Sequence, residues 1–166
     1  MGVLIAVLAL SVPAFAADGF RESTRLETKA QVYGVPAVVY CSRTAAIWRD
    51  YITPNIPVTR RWTSVQGWHP ADTQDVYLYS ETCAYIEGWM RGRPVPPERF
   101  GGSLSILLHE LQHVRGILDE SDATCAALKD LPGVARKLFG VRKAKTLRAV
   151  VFGANAGWPS EYRLSC

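Results

Sequence analysis

Apolar residues recur every three or four positions between Leu104 and Val114, which is the spacing of one face of an α-helix. The members of this stripe are Leu104, Leu107, Leu108, Leu111 and Val114. Ser103 is a favourable N-cap, and Gly116 is a favourable residue for ending a helix. The pattern therefore predicts a helix that begins after Ser103 and buries this stripe, with Gly101 and Gly102 as a flexible lead-in.

Shorter patterns predict the other elements. The predicted strands lie at residues 37–40 (AVVY), around 62–68 and at 76–79. The predicted helices cover residues 42–53, 80–90 and 120–131, and Pro54 and Pro132 are expected to end the first and the last of them. Residues 18–35 have no clear period and are expected to form a leader or a short helix, and residues 92–102 a loop. Together these elements predict one α+β domain with a sheet of about three strands.

The sequence HELQH at residues 109–113 places His109 and His113 on one helix face, because residues four apart are neighbours on a helix. Two imidazoles at that spacing can bind one zinc ion, and Glu110 is the acid expected to act as a general base. Both histidines lie off the centre of the apolar stripe, so we expect them to face a cleft. The third histidine of the chain, His69, lies in a predicted turn and is expected to be structural or exposed.

A third ligand is expected from the segment after the helix, because catalytic zinc usually has three protein ligands and one open position for water. That segment offers Asp119, Glu120 and Asp122. Asp119 also suits the N-cap of the second helix, with Asp122 completing a capping box.

The segment from His109 to Asp119, written HExxHxxGxxD, resembles the metzincin pattern of the snapalysin family, which implies Asp119 as the third ligand. Metzincins also have a methionine turn downstream of this motif. The only methionines here, Met1 and Met90, precede it. In this respect the chain departs from the metzincin pattern.

The sequence ESDATCAAL, in which Ala123 follows Glu120 by three residues, resembles the ExxA arrangement of compact gluzincins, where the third ligand is a glutamate on a second helix. The chain is also similar, over most of its length after residue 17, to small secreted bacterial HExxH proteins in which a DE pair and a cysteine follow the motif. These resemblances imply Glu120 as the preferred ligand, with Asp119 as the alternative. They imply a small zincin-like α+β domain, with a short sheet packed on the HELQH helix and a second metal-binding helix.

The beginning of the chain is apolar and ends in Ala14, Phe15 and Ala16, which matches a small-residue cleavage site. We therefore expect a signal peptide over residues 1–17, a single domain over residues 18–166, and a secreted or envelope-located protein.

Four cysteines fit an exported protein, because an even number of cysteines in an oxidising compartment usually forms bridges. Three pairings are possible, and we favour Cys41 with Cys83 and Cys125 with Cys166. A zinc site of four cysteines is disfavoured, since the chain has no CxxC pair.

The net charge of +4 is unevenly distributed. Six basic residues lie close together, namely Arg136, Lys137, Arg142, Lys143, Lys145 and Arg148. This segment could attract an anionic envelope polymer or lipid surface, although a solvated helix face explains the same pattern. Nucleic-acid binding is not expected, because the chain has an export signal and no recognised binding motif. A monomer is expected.

The expected function is that of a secreted zinc metallopeptidase acting on peptides or proteins. Zinc would lower the pKa of its bound water and polarise the substrate carbonyl, and Glu110 would take the proton and deliver it to the leaving amine. Two alternatives use the same residues: a non-catalytic zinc-containing protein that binds the envelope, and a zinc amidase acting on an envelope amide.

Overall fold

The computed structural model of the chain describes residues 19–56 and 64–158. The predicted signal peptide at residues 1–17 lies outside these ranges. The described helices are α1 (Thr24–Val32), α2 (Ala45–Ile52), α3 (Ser80–Met90), α4 (Pro97–Val114), α5 (Glu120–Phe139) and α6 (Ala144–Ala156). The described strands are β1 (Phe20–Glu22), β2 (Val38–Ser42), β3 (Gly67–Trp68) and β4 (Asp75–Leu78), and a 3₁₀ turn at Thr53–Asn55 follows α2. The predicted α+β class is confirmed.

The sheet has the order β1-β2-β4-β3. Its two central strands, β2 and β4, are parallel and are joined through α2, as a parallel pair requires a crossover connection. The edge strands β1 and β3 are antiparallel to their neighbours. β3 therefore lies at one edge, and its Gly67 lies against α4.

The two central strands separate two hydrophobic clusters, because successive side chains of a strand point to opposite faces. Val39, Cys41, Val76 and Leu78 belong to the main cluster, which includes buried residues of α1, α3, α4, α5 and α6. Tyr40 and Tyr77 point the other way, stack with ring centroids 5.0 Å apart, and pack with Trp48 and Ile52 of α2. The main core therefore lies on the side of the sheet that carries α4.

Helix α4 begins at Pro97, so the predicted loop is confirmed for residues 92–96 and wrong for residues 97–102, and the N-cap predicted at Ser103 is wrong. Proline suits the first turn of a helix, where its missing N–H is not needed. A Cβ at Gly101 would lie 2.0 Å from the carbonyl oxygen of Val150, and a Cβ at Gly153 would lie 2.0 Å from that of Glu98. Gly101 therefore lies within α4 rather than in a flexible lead-in, because the backbone of α6 packs directly against it and leaves no room for a side chain.

Helix α5 continues to Phe139, so the prediction that Pro132 ends it is wrong. Residues on the far side of the proline, including Val134, Ala135 and Phe139, are buried in the main core. The free energy gained from their burial offsets the cost of the backbone hydrogen bond that the proline cannot donate. Gly140, with φ of 69°, forms the C-cap.

Several other boundaries differ from the prediction. Residues 18–35 contain the strand β1 as well as α1, and the N-cap of α2 is Thr44, whose side chain accepts from the amide of Ile47 at 3.2 Å. Ser42, the first residue of the predicted helix, instead ends β2 and is buried. Only Gly67–Trp68 of the strand predicted around residues 62–68 is described as β3, and residues 57–63 lie outside the described ranges.

The predicted bridge between Cys41 and Cys83 is confirmed and ties β2 to α3. Cys125 is also disulfide-bonded, and Cys166, its predicted partner, lies outside the described residues. A disulfide of this kind is typical of an oxidising, extracellular compartment. Among the described residues, we find no helix with both the length and the apolar character needed to cross a membrane.

Candidate metal centre

His109, His113 and Glu120 bring one ligand atom each within 4.8 Å of one another, and we call these three residues the metal group. Nε2 of His109 lies 3.0 Å from Nε2 of His113 and 3.2 Å from Oε2 of Glu120. His109 is buried, His113 is partly buried and the Glu120 side chain is 49% exposed. The described structure therefore has a group that could hold a metal ion and that is open to solvent on one side.

The turn after α4 brings Glu120 back to the histidines. The amide of Gly116, with φ of +92°, donates to the carbonyl of His113 at 2.8 Å, and the amide of Ile117 donates to that of Gln112 at 3.1 Å. These two bonds form a Schellman motif, which needs a left-handed residue that glycine supplies without strain. The chain reverses within a few residues, so the first residue of α5 faces the last turns of α4.

Asp119 has a different position from Glu120. Its Oδ1 accepts from the amides of Ser121 and Asp122, both at 2.9 Å, and so caps α5. The metal group does not include Asp119. Asp119, the alternative ligand predicted from the sequence, therefore caps the helix from which Glu120 projects.

The far nitrogens of both imidazoles are held by the protein. Nδ1 of His113 lies 2.6 Å from the carbonyl oxygen of Ile117, and Nδ1 of His109 lies 3.1 Å from the hydroxyl of the buried Thr124. Metal-binding histidines usually bond in this way through the nitrogen that does not face the metal. Both rings therefore present Nε2 to Glu120.

The bond to Ile117 decides where the proton of a neutral His113 lies. A carbonyl oxygen only accepts, so the proton of a neutral His113 is on Nδ1 and its Nε2 carries a lone pair. Burial lowers the pKa of His113 and the neighbouring His109 lowers it further, which favours that neutral form. When the Thr124 hydroxyl accepts from Nδ1 of His109, two lone pairs and a carboxylate converge, and a single cation would satisfy all three. Two imidazoles and one carboxylate are a donor set that zinc accepts.

Glu110 lies beside the metal group and is only 6% exposed. A Cβ on Gly67 would lie 2.6 Å from Oε1 of Glu110, so the backbone of β3 presses directly on this carboxylate. Burial raises the pKa of Glu110 well above its ordinary value, and the charge of Glu120 raises it further. Glu110 makes no hydrogen bond to the described part of the chain and lines the same cleft as the histidines.

The cleft around the metal group has a volume of about 930 Å³. Strand β3, the turn after it, the cleft side of α4, the loop before α5 and the end of α6 contribute to its walls. Ile106, Leu118, Phe152 and Trp158 are among its apolar lining residues. The predicted orientation of the histidines toward a cleft beside the core is confirmed.

His69, which was expected to be structural or exposed, also lines this cleft. Its ring lies parallel to that of His113, with centroids 6.3 Å apart and an interplanar angle of 8°. Nδ1 of His69 lies 3.0 Å from the carbonyl oxygen of Asp75, which leaves Nε2 as an acceptor in the neutral ring. The only sequence signal for this placement was the scarcity of histidine in the chain.

Two further neighbours of the site were missed by sequence reasoning. The indole of Trp158 packs on His109 with ring centroids 4.6 Å apart and donates to the hydroxyl of Ser105 at 3.1 Å. Thr124 is separated from His109 by a turn and part of a second helix. No local pattern distinguishes such residues from ordinary helix positions, because only the crossing of α4 with α5 and α6 brings them to the histidine.

No protein-family model matches the chain, and neither a curated protein nor a solved structure was found to match it. The function is therefore argued from the residues of this chain alone.

Proposed function

We propose that the chain is a secreted zinc-dependent peptidase, with His109, His113 and Glu120 as zinc ligands and Glu110 as the general base. The observation that carries the proposal is the convergence of three ligand atoms beside a buried carboxylate in a large open cleft. The Cys41–Cys83 disulfide supports an oxidising location.

The number of ligands supports a catalytic site over a structural one. Structural zinc sites are usually closed by four protein ligands, whereas catalytic sites have three and keep one position for water or substrate. Among the described residues, only His109, His113 and Glu120 form such a group, and Glu120 is on the solvent side. When bound, zinc would supply Lewis acidity, which polarises a carbonyl oxygen and lowers the pKa of a water.

Glu110 would move the proton. Its carboxylate has no competing hydrogen-bond donor among the described residues, and Gly67 confines it from the β3 side. It would accept a proton from the attacking water and deliver the proton to the leaving amine nitrogen, so that one C–N bond breaks and one C–O bond forms. A nearby cation favours the charged form of a carboxylate, which would oppose the effect of burial on its pKa.

The size of the cleft supports a peptide over a small amide. Its volume of about 930 Å³ is at the upper end of the roughly 300–1000 Å³ that small-molecule sites occupy. A ligand of several residues fits such a space, whereas a single small amide would leave most of it empty.

Metal analysis and one substitution test this proposal. The purified protein is expected to bind about one zinc per chain and to hydrolyse members of a mixed peptide library. Glu110→Gln is expected to abolish hydrolysis and to retain zinc. Glu98→Gln is the matched control, because Glu98 is an exposed glutamate of the same helix that also lines the cleft. Absence of stoichiometric zinc from the unmodified protein, or full activity of Glu110→Gln, would refute the proposal.

We further propose that the basic segment of residues 136–148 binds an anionic lipid surface of the envelope. All six of its cations are exposed, and residues 131–158 contain no acidic residue. Co-sedimentation with vesicles containing phosphatidylglycerol is expected, and it should weaken as salt is raised. Equal binding to uncharged phosphatidylcholine vesicles would contradict the proposal.

A further inference from the structure

Three large hydrophobic side chains are exposed in the part of the chain that the structure describes: Val32 at 66%, Leu118 at 81% and Phe152 at 69%. Two of them, Leu118 and Phe152, line the cleft of the metal group. Exposed apolar side chains that gather around one cleft are typical of a ligand-binding surface, whereas single scattered ones need no explanation. Val32 lies on α1 and does not line the cleft.

Leu118 and Phe152 lie toward opposite ends of α4. Leu118 follows the C-terminal turn of α4 and precedes Glu120 by two residues. Phe152 is next to Gly153, whose Cα region packs on Glu98 near the start of the same helix. From Glu98 to Val114 helix α4 advances sixteen residues, which corresponds to roughly 24 Å at ~1.5 Å per residue. The metal group lies between them, closer to Leu118.

This separation matches an extended peptide. A chain in the extended conformation rises about 3.3 Å per residue, so about seven residues would reach from one side chain to the other. Apart from Glu110 and Glu120, the acidic and basic residues that line the cleft are Glu81, Glu98 and Arg99. They carry little net charge and do not attract an acidic peptide.

We propose that the cleft binds an extended peptide that has a large apolar side chain near each end, one contacting Leu118 and the other contacting Phe152. The substrate class is then an unfolded or extended polypeptide segment rich in apolar residues. The inference rests on the proposed peptidase function, since it assigns the substrate of that same site.

The inference is tested by measuring peptide binding to a variant that is expected not to hydrolyse the peptide. Leu118→Ser and Phe152→Ser are each made in the zinc-loaded full chain that carries Glu110→Gln, and Val32→Ser is the matched control. The probes are two fluorescently labelled eight-residue peptides, one with phenylalanine at positions one and eight and one with serine there, so that the two side chains are about 23 Å apart in the extended chain. Each cleft substitution is expected to weaken binding of the phenylalanine peptide on the order of tenfold, because an apolar contact of the substrate is lost.

The control substitution Val32→Ser is expected to leave binding within twofold, and the serine peptide should bind weakly to all variants. Equal affinity of the three variants for the phenylalanine peptide would overturn the inference. The same peptide is also incubated with the chain that retains Glu110. Selective binding without hydrolysis would refute the peptidase function and support the peptide site, whereas hydrolysis that is insensitive to both cleft substitutions would refute the peptide site alone.

Discussion

Helix α4 has a polar cluster on each of two faces, and the two clusters differ in how their donors and acceptors are matched. Gln112 and His113 are adjacent residues, yet Gln112 belongs to a closed cluster with Tyr33, Arg115 and Asp130. Its side-chain amide donates to the Tyr33 hydroxyl at 2.7 Å, and that hydroxyl bonds to Asp130. Arg115 donates to the carbonyl of Tyr33 at 2.8 Å and lies 3.7 Å from Asp130. Every acceptor in this cluster faces a donor.

The metal group has the opposite character. Nδ1 of His113 is bonded to a backbone carbonyl and Nδ1 of His109 to the Thr124 hydroxyl, so with Thr124 accepting, the atoms that face one another are acceptors. A buried polar cluster whose own bonds are satisfied stabilises the fold, whereas converging acceptors require a proton or a cation. Helix α4 therefore has a satisfied polar cluster on one face and, on another, a group of residues that could hold a metal ion.

Replacing the two adjacent residues gives the largest expected contrast. His113→Ala is expected to abolish stoichiometric zinc binding, because it removes one of three ligands, and with it all hydrolysis. Gln112→Ala is expected to retain zinc and to lower the free energy of unfolding by about 1–3 kcal/mol, since the partly buried Tyr33 hydroxyl loses a donor and a buried side chain is removed. Metal analysis and urea unfolding measure the two effects. Loss of zinc from Gln112→Ala would show that the clusters are not independent.

The contact between β3 and Glu110 gives the next largest effect. Gly67→Ala places a Cβ within 2.6 Å of Oε1 of Glu110 and 2.8 Å of Ile106, so the carboxylate must move. A displacement of about 1 Å can cost on the order of 100-fold in kcat. Zinc content is expected to be unchanged.

The matched control for Gly67 is Gly133 of α5, where an added Cβ meets nothing within 4 Å. Gly133→Ala should retain kcat. Steady-state kinetics with one peptide compares the two variants. Equal kcat values would show that the contact with Gly67 does not determine the position of Glu110.

Thr124→Val tests the bond that orients His109. The substitution removes the hydroxyl at 3.1 Å from Nδ1 and keeps the shape of the side chain. Loss of such an orienting partner typically lowers metal affinity 10- to 100-fold. Thr82→Val is the control, because Thr82 is equally buried but bonds to Gln66. Competition with a zinc chelator measures the affinities, and equal values for both variants would contradict the role of Thr124.

The closed cluster should respond to alkaline pH. Burial raises the pKa of Tyr33 from 10.0 to about 12, and the hydrogen bond to Asp130 adds to the rise. Because the neutral hydroxyl is favoured in the folded state, its stabilisation is fully present below about pH 10 and is lost as the pH rises toward about 12.

Tyr33→Phe should remove this part of the pH dependence. The measurement is the difference in unfolding free energy between the two proteins from pH 8 to pH 12. A difference that does not change with pH would exclude the Tyr33 hydroxyl as its source.

Residues with a strong local pattern were predicted well. Helix α3 has the predicted bounds, Ser80–Met90, and the facing of His109 and His113 followed from their spacing. The Cys41–Cys83 pairing was chosen from three alternatives and is confirmed. The spacing of apolar and polar side chains was sufficient to predict the helix and the facing of the histidines. The expectation that a bridge ties distant elements together was sufficient to choose the cysteine pairing.

Residues whose position depends on distant parts of the chain were predicted poorly. Gly101 was expected to be flexible but is held in α4, since α6 packs against it at backbone distance. Pro132 was expected to end α5 but lies inside it, because the residues that follow are buried in the core. His69 was given no role and lies in the cleft, since β3 and β4 bring it beside His113.

By itself the sequence determined that two histidines and a glutamate share one turn of a helix, because helical spacing is a local property of the backbone. The spacing of the motif left the third carboxylate open between Asp119 and Glu120, and the tertiary structure decided which of them faces the histidines. Asp119 and Glu120 are neighbours with similar chemistry, and the Schellman turn and the start of α5 assign one to the cap and the other to the metal group. That choice depends on how two helices cross, which is set by packing over the whole core rather than by the residues of the motif.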